Sequence, residues 1–544
     1  MIFIKARLVL MRLFATMLLL MGMISVSAQD QTTDGENQDG ATLLLPSLLK
    51  ENPDISIFYE ALLATHLSDT LQMYVDADYP GVTYDSTMEC LVTTGRVAVE
   101  YETPYETGNS RQRAVWPDKR LFKFTVFVVN NSVLKEAYGI RSLGDLITKA
   151  KEVYPDPAHI NDDLWLSTSP LYKLISYHIL PCWLPYDQLN ISQKVIIDNR
   201  KQRDSLDVED FYETLHPYAI MRISTPLDAK VEKKGIYINR KGTVSADNLE
   251  NNGVRIWSPG EKSGINQIAL NGGYHYVDSL LLFNQETKNA LHTRMRVMFS
   301  TLSPDFINSG ARGRLRTDAR RPVDYAVYGF KKGFCKNVNW SGPTEFYVRY
   351  RDATFGCLYG DEITCRGYYD ITFRLPPVPE SGVYEIRMHC NFLGISSNND
   401  RGIVLFYTGK DNYNLIPCSV PFNMGMQSQS ITDPQIGAIM DKSFWHDYST
   451  EEEVEAAIAD NDKLMRQNGF MKEPDIYGPG SNNLRDNSCD CRKIVCEQYM
   501  ESGKDYYLRL KQVGDDNQYL IPLNYLEIVP LSIYSGENGP EDRH

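Results

Sequence analysis

The sequence predicts an α+β domain followed by an all-β sandwich that carries one inserted helix. Three observations lead there. Helical periodicity dominates from about residue 43 to residue 180, and short strands follow it. From about residue 325 the texture is strand and turn. One segment near residue 450 interrupts that texture with a helix-start signal. Helices first and strands later, without βα alternation, point to α+β.

At the N-terminus, Lys5, Arg7 and Arg12 accompany an apolar run from Leu13 to Ile24, with Val26 and Ala28 where a signal peptidase reads. Residues 1–28 are therefore expected to be a secretory signal peptide, too short and wrongly flanked for a membrane span. Gln29 follows the expected cut and the first cysteine is Cys90, so no lipid anchor is expected. The expected location is periplasmic, cell-surface-associated or extracellular, for a chain that does not span the membrane. Residues 29–42 are polar and acidic, a disordered leader.

The first domain is expected over 43–288. In "DISIFYEALLATHLSDTL", Phe58, Leu62, Leu63, Leu67 and Leu71 share a helical face. "LFKFTVFVV" reads as a buried strand, and Asn130 and Asn131 end it and cap the next helix. "SLGDLITKAKEVYP" and "PLYKLISYHILP" read as amphipathic helices, each closed by a proline. Short strands then run through "AIMRIS", "KGIYINRKG", "GVRIWSPG" and "GGYHYVDSLLL".

Residues 289–324 connect to the sandwich, expected over 325–536, with 537–544 as a tail. Tyr369, Ile371, Phe373 and Leu375 alternate with Asp370, Thr372 and Arg374, the period of a strand with one buried face. The inserted helix opens with a Thr450 and Glu453 capping box and closes at Gly469.

A net charge of −14 argues against nucleic acid and anionic lipid as partners. The 34 tyrosines against 6 tryptophans suit β-structure and polar, sugar-like or protein contacts. Eight of the ten cysteines follow residue 330, so any disulfides would staple the C-terminal half. "CDCRKIVC" lacks a nearby fourth ligand, which leaves buried thiols or a disulfide as readings and predicts no metal and no cofactor.

Four stretches, taken in order, resemble a fasciclin domain of the type found in secreted and surface proteins of gut Bacteroidetes. "FYEALLATHLSDTL" resembles the family's entry helix, and "FTVFVVNNSVLKEA" is similar to its first box. Tyr177 and His178 match the Tyr-His pair between the boxes. "IALNGGYHYVDSLLL" resembles the second box, with Asn271, Gly272, His275 and Asp278 at its motif positions. Val129 and Asn130 replace the proline and threonine of the first box, so the turn there must differ. The resemblance implies a non-enzymatic domain in which the Tyr-His pair serves adhesion or structure. The C-terminal cadence resembles a jelly-roll or galactose-binding-like sandwich.

His275 is read against a catalytic role. In a strand, Tyr274, Tyr276 and Asp278 share one face while His275 points to the other, so Asp278 cannot orient the imidazole. No G-x-S-x-G, H-E-x-x-H or phosphate loop is present. For glycan, the candidates are Trp257, Trp340 and Trp445, each beside polar or turn-like residues, and Arg401 where a loop enters a strand; core packing is the competing reading for each tryptophan. The expected function is an exported binding or adhesion protein, an accessory that takes a polysaccharide or a surface protein. A glycan hydrolase or lyase sited in the sandwich, and a structural matrix component, are the alternatives.

Overall fold

The structure is a computed structural model. It describes residues 41–81, 97–98, 112–115, 117–155, 163–189, 208–225, 235–240, 253–258, 261, 267–311, 326–341, 344–350, 361–391, 402–424, 432–433, 436–441, 448–474, 485, 490–514 and 519–535. It is mixed α+β and mostly sheet, with antiparallel sheets predominating and short helices concentrated in the first third.

The entry segment is helical but broken. Helices Leu45–Lys50, Ser56–Ala64 and Leu67–Leu71 follow one another, and His66, at φ +56°, turns the chain between the last two. Phe58, Leu62, Leu67 and Leu71 are buried, as one continuous face requires, whereas Leu63 is exposed. The left-handed residue resets the helical phase and returns Leu67 and Leu71 to the buried side, whereas Leu63 lies about 140° round its own helix from Phe58. Asn130 then caps helix Asn131–Tyr138 by accepting from the Val133 amide, and Ser142 caps Leu143–Val153 through Asp145. Helix Pro170–Ser176 stops short of its expected proline: Ile179–Leu180 is a strand instead.

That strand belongs to a four-stranded sheet ordered Ile179–Leu180, Phe124–Val128, Gly272–Tyr276 and Gln267–Ala269. The strands of the two box-like motifs pair in parallel, with His275 opposite Phe127. Both are buried on both faces, which is why they read as almost continuous apolar and aromatic runs. Beside them stands an antiparallel meander of Val208–Glu213, Ile220–Thr225, Ile236–Ile238 and Val254–Ile256.

Three larger sheets form the rest. A five-stranded antiparallel sheet runs Met295–Met298, Tyr525–Pro530, Gly382–Asn391, Asp490–Met500 and Phe470–Lys472. Another runs Val338–Trp340, Asp370–Arg374, Tyr507–Gln512, Ile403–Gly409 and Ile416–Pro417, and Phe422–Asn423 also pairs with Ile403–Gly409. In Asp370–Arg374, Ile371 and Phe373 are fully buried, and the intervening residues are partly exposed. The helix near residue 450 spans Glu451–Gln467, with both hydrogen bonds of the Thr450 and Glu453 capping box formed and Gly469 at φ +77° after it.

Two segments fall elsewhere than the sequence suggests. Val97–Ala98 and Gln112–Val115 lie inside the expected first domain, yet they join a six-stranded sheet with Ala326–Gly329, Thr344–Tyr350, Asp361–Gly367 and Leu520–Leu523. Within the expected connector, Met295–Met298 is a largely buried strand paired with Tyr525–Pro530. The two expected regions are therefore woven through shared sheets.

Gly272 shows how tightly the box strands meet. Its φ is +133°, and a Cβ there would lie 2.0 Å from the Phe124 carbonyl oxygen. Gly272→Ala is expected to cost more than about 3 kcal/mol, because rigid backbone must move and the conformation favours glycine. A urea titration of the variant checks this; a midpoint within error of the parent would contradict it.

Candidate functional site

The residues that the resemblance singles out are engaged in hydrogen bonds within the chain. Tyr177 is buried, donates to the Ile220 carbonyl at 2.9 Å and accepts from Asn239 Nδ2 at 2.8 Å. His178 is buried too: Nε2 accepts from the Leu281 amide at 3.1 Å, so Nδ1 carries the proton and donates to the Phe127 carbonyl at 2.7 Å. Both ring nitrogens are thus used by backbone. Asn271 accepts from the Leu45 amide and donates to the carbonyls of Leu71 and Met73, tying the entry helices to the box sheet.

His275 lies at the centre of an aromatic stack. Its ring is parallel to Trp183 at 5.5 Å, Nε2 meets the Leu184 carbonyl at 2.8 Å, and Nδ1 has no hydrogen-bond partner. Tyr274 and Tyr276 point the opposite way, and both hydroxyls accept from Asn52 Nδ2. Exposed Asp278 accepts from the Arg255 amide and makes no contact with His275. Burial pushes His178, His216 and His275 down to about 4, against backbone hydrogen bonds that pull them up. His178 is therefore neutral, and the helix-dipole pairing open to a protonated ring at that position does not arise.

The tryptophan candidates separate. Trp340 is 2% exposed and packs on Phe346 at 4.7 Å, so it offers no sugar-stacking face. Trp257 is half-buried and stacked on Tyr276 at 5.4 Å, with one face spent there. Trp445 and Arg401 lie outside the described residues. Trp165, which the sequence reading passes over, is 53% exposed.

A cavity of about 140 Å³ opens between the meander and the sheet containing Asp370–Arg374. Glu213, Arg374, Tyr212, Thr214, Thr301 and Asn337 supply polar groups to a lining whose other residues are apolar. Arg374 is the hub. It donates to both Glu213 oxygens at 2.7 and 2.8 Å, and its Nε donates to Asp505 at 2.8 Å. Burial pushes Glu213 above the usual carboxylate range although Arg374 pulls it down. Arg374 is driven up by its two carboxylates in spite of burial. Tyr507 lies within electrostatic reach of Asp505, Arg374, Asp411 and Tyr218. Fixed charge, partial exposure and tyrosines nearby make this a candidate binding site.

A second polar constellation is closed. In Gly382–Asn391, Glu385, Arg387, His389 and Asn391 alternate with Ile386, Met388 and Cys390, and all seven are buried. Arg296, Arg387 and Arg492 surround the Glu527 carboxylate at 2.6–3.3 Å. Burial raises Glu527, but the arginines prevail and hold it far below the usual range. Beside it, His389 Nδ1 meets Glu473 at 2.9 Å, and Tyr525 donates to the other Glu473 oxygen. Charged residues at every second position were visible in "VYEIRMHCN", but that pattern normally marks a solvated face.

No family model and no curated protein matches this chain. Among solved structures, the insecticidal crystal protein Cry2Aa aligns at 8% identity with a TM-score of 0.19, covering 71% of this chain and 64% of that one. Agreement that slight bears on neither fold nor function. Among the described residues no group of three or more His, Cys, Asp or Glu is placed to hold a metal ion. None of their helices is long and apolar enough to cross a membrane.

Two stability predictions follow from these buried groups. The three histidines titrate near 6.5 when unfolded and near 4 when folded, so their stabilisation is complete above pH 6.5 and is lost as pH falls towards 4. Each contributes up to about 3 kcal/mol over that window. Urea midpoints between pH 7 and pH 4.5 should fall accordingly, and His275→Gln should reduce the slope by one proton. Glu527→Gln leaves buried arginines facing a neutral amide and should cost about 3–5 kcal/mol, read from a thermal melt.

Proposed function

We propose that this chain is an exported, non-enzymatic binding protein, an accessory that captures polysaccharide through the cavity at Arg374. In this reading a fasciclin-like domain is joined to a jelly-roll or galactose-binding-like sandwich, and the fasciclin-like boxes build the scaffold. One observation carries it: Arg374, only 19% exposed at its side chain, lines the cavity with Glu213 and holds Glu213 and Asp505 in fixed positions. A carboxylate bound by a guanidinium keeps lone pairs for hydroxyl donors, and the geometry is set before a ligand arrives. The volume accommodates on the order of ten waters, room for a small polar ring.

The raised titration of Glu213 favours a second reading, a glycan hydrolase. A carboxyl that keeps its proton is suited to general-acid catalysis, and Asp505 would be its partner. Against this, both carboxylates are bound by the same cation, which spends the basicity a nucleophile needs.

A glycan array followed by calorimetry tests the first reading. Binding to at least one polysaccharide is expected, weakened at least tenfold by Glu213→Gln with an unchanged circular dichroism spectrum; a tenfold loss is about 1.4 kcal/mol. Absence of binding to any polysaccharide removes the glycan reading. Product release that Glu213→Gln abolishes would establish the hydrolase instead.

A further inference from the structure

Lys472 ends Phe470–Lys472, the edge strand of the five-stranded sheet, and among the described residues it is the only buried lysine. Two carboxylates from outside that sheet close on its ammonium. Asp441 Oδ1 accepts from Nζ at 2.7 Å, and Asp462 Oδ1 lies 2.6 Å from the same Nζ. Asp462 stands on helix Glu451–Gln467, and Asp441 follows the short strand Gly437–Ala438. Asn461 fixes these two elements against each other: Oδ1 accepts from the Ala438 amide and Nδ2 donates to the Ala438 carbonyl, both at 2.7 Å. On the other oxygen of Asp441, buried Arg485 donates from Nε at 2.9 Å, and its Nη1 donates to the Glu473 carbonyl at 3.0 Å.

We propose that Lys472 and Asp441 are the site of an intramolecular amide bond, Nζ to Cγ, formed after folding with Asp462 as the proton relay. Three features single out this pair. Burying an ammonium and a carboxylate costs desolvation of both, and condensation to a neutral amide removes both charges. The accepting carboxyl is held at Oδ2 by a guanidinium, where negative charge develops on attack. A second carboxylate already touches the nitrogen from which protons must leave. The Glu527 cluster cannot follow the same course, because a guanidinium keeps its proton and is no nucleophile.

The step balances without an oxidant or a second substrate. Asp462 takes a proton from Nζ and passes it to Asp441 Oδ1, which leaves a neutral amine beside a neutral carboxyl. The Nζ lone pair attacks Cγ, the carbonyl pair moves to Oδ2, and Arg485 holds the oxyanion. Asp462 then carries a second proton from Nζ to Oδ1. The Oδ2 pair re-forms the carbonyl, and Oδ1 leaves as water. One ammonium and one carboxylate become one amide and one water.

The bond closes a loop of 31 residues that contains helix Glu451–Gln467. It also pins Phe470–Lys472, which pairs with the sheet along one side only, through Asp490–Met500.

The full chain, purified folded, is denatured, digested and mapped by mass spectrometry. The expected result is a branched peptide joining Lys472 to Asp441, one water lighter than its two linear parts together. Asp462→Asn should keep the parent's circular dichroism spectrum and yield the two linear peptides instead. Lys472→Arg should also yield no branch. Recovery of Lys472 and Asp441 in separate linear peptides from the parent overturns the proposal, as does a branch to Asp462. A branch that survives Asp462→Asn overturns the relay. The parent's map decides even if a variant misfolds.

Discussion

The Glu527 carboxylate is the interaction on which the packing of this chain depends. It sits at zero exposure between arginines from three different strands: Arg296 before it in the chain, Arg387 and Arg492 on the strands beyond. Removing those charges from water costs several kcal/mol per ion, and only close, hydrogen-bonded geometry offsets that. Shifting any strand by one residue would turn a charge into the apolar layer behind the sheet, where Ile386, Met388 and Cys390 lie. The cluster therefore selects one register rather than adding much net stability. Because Arg296 comes from residues expected to be a connector, the same constraint fastens the first part of the chain to the last.

The box sheet solves the burial of polar groups differently. There the histidines are neutral, and their hydrogen bonds go to backbone carbonyls and amides. Neutral imidazoles avoid the cost of a buried ion, but they must lose a proton to fold below pH 6.5. The ionic sheet carries its own acid limit at lower pH, because Glu527 is held below the ordinary carboxylate range. One chain thus contains two acid-sensitive cores with separate thresholds.

Legibility in the sequence followed the range of the interactions. Caps at Asn130 and Thr450 are local hydrogen bonds over three residues, and they were readable. So was the alternation from Tyr369 to Leu375, because one face is apolar and the other polar. Leu63 misled because it lies about 140° round its helix from Phe58, and the break at His66 that lets Leu67 and Leu71 rejoin the buried side needs a left-handed backbone that histidine does not advertise. The strand at Ile179–Leu180 was hidden because two apolar residues fit a helix or a strand equally well. The charged face was the hardest feature: its alternation is plain, but its burial depends on partners up to 140 residues away. The Arg374 hub has the same origin, since Glu213 and Asp505 are unremarkable until the fold brings them together.

That difference in origin also separates scaffold from site. Tyr177, His178, Asn271 and the Glu527 cluster are buried and hydrogen-bonded within the chain, so a ligand could engage them only by displacing core packing. At Arg374 the ion pairs are equally specific, but Glu213 and Asp505 keep 28% and 34% of their side-chain surface open, and Glu213 lines the cavity. Charges fixed by the protein and still hydrated lose less on meeting a polar ligand than mobile surface charges do, because their ordering cost has already been met in folding. Fully buried charges can specify register and freely exposed ones can steer encounter. In the proposed reading, the partly exposed hub at Arg374 supplies both fixed geometry and access.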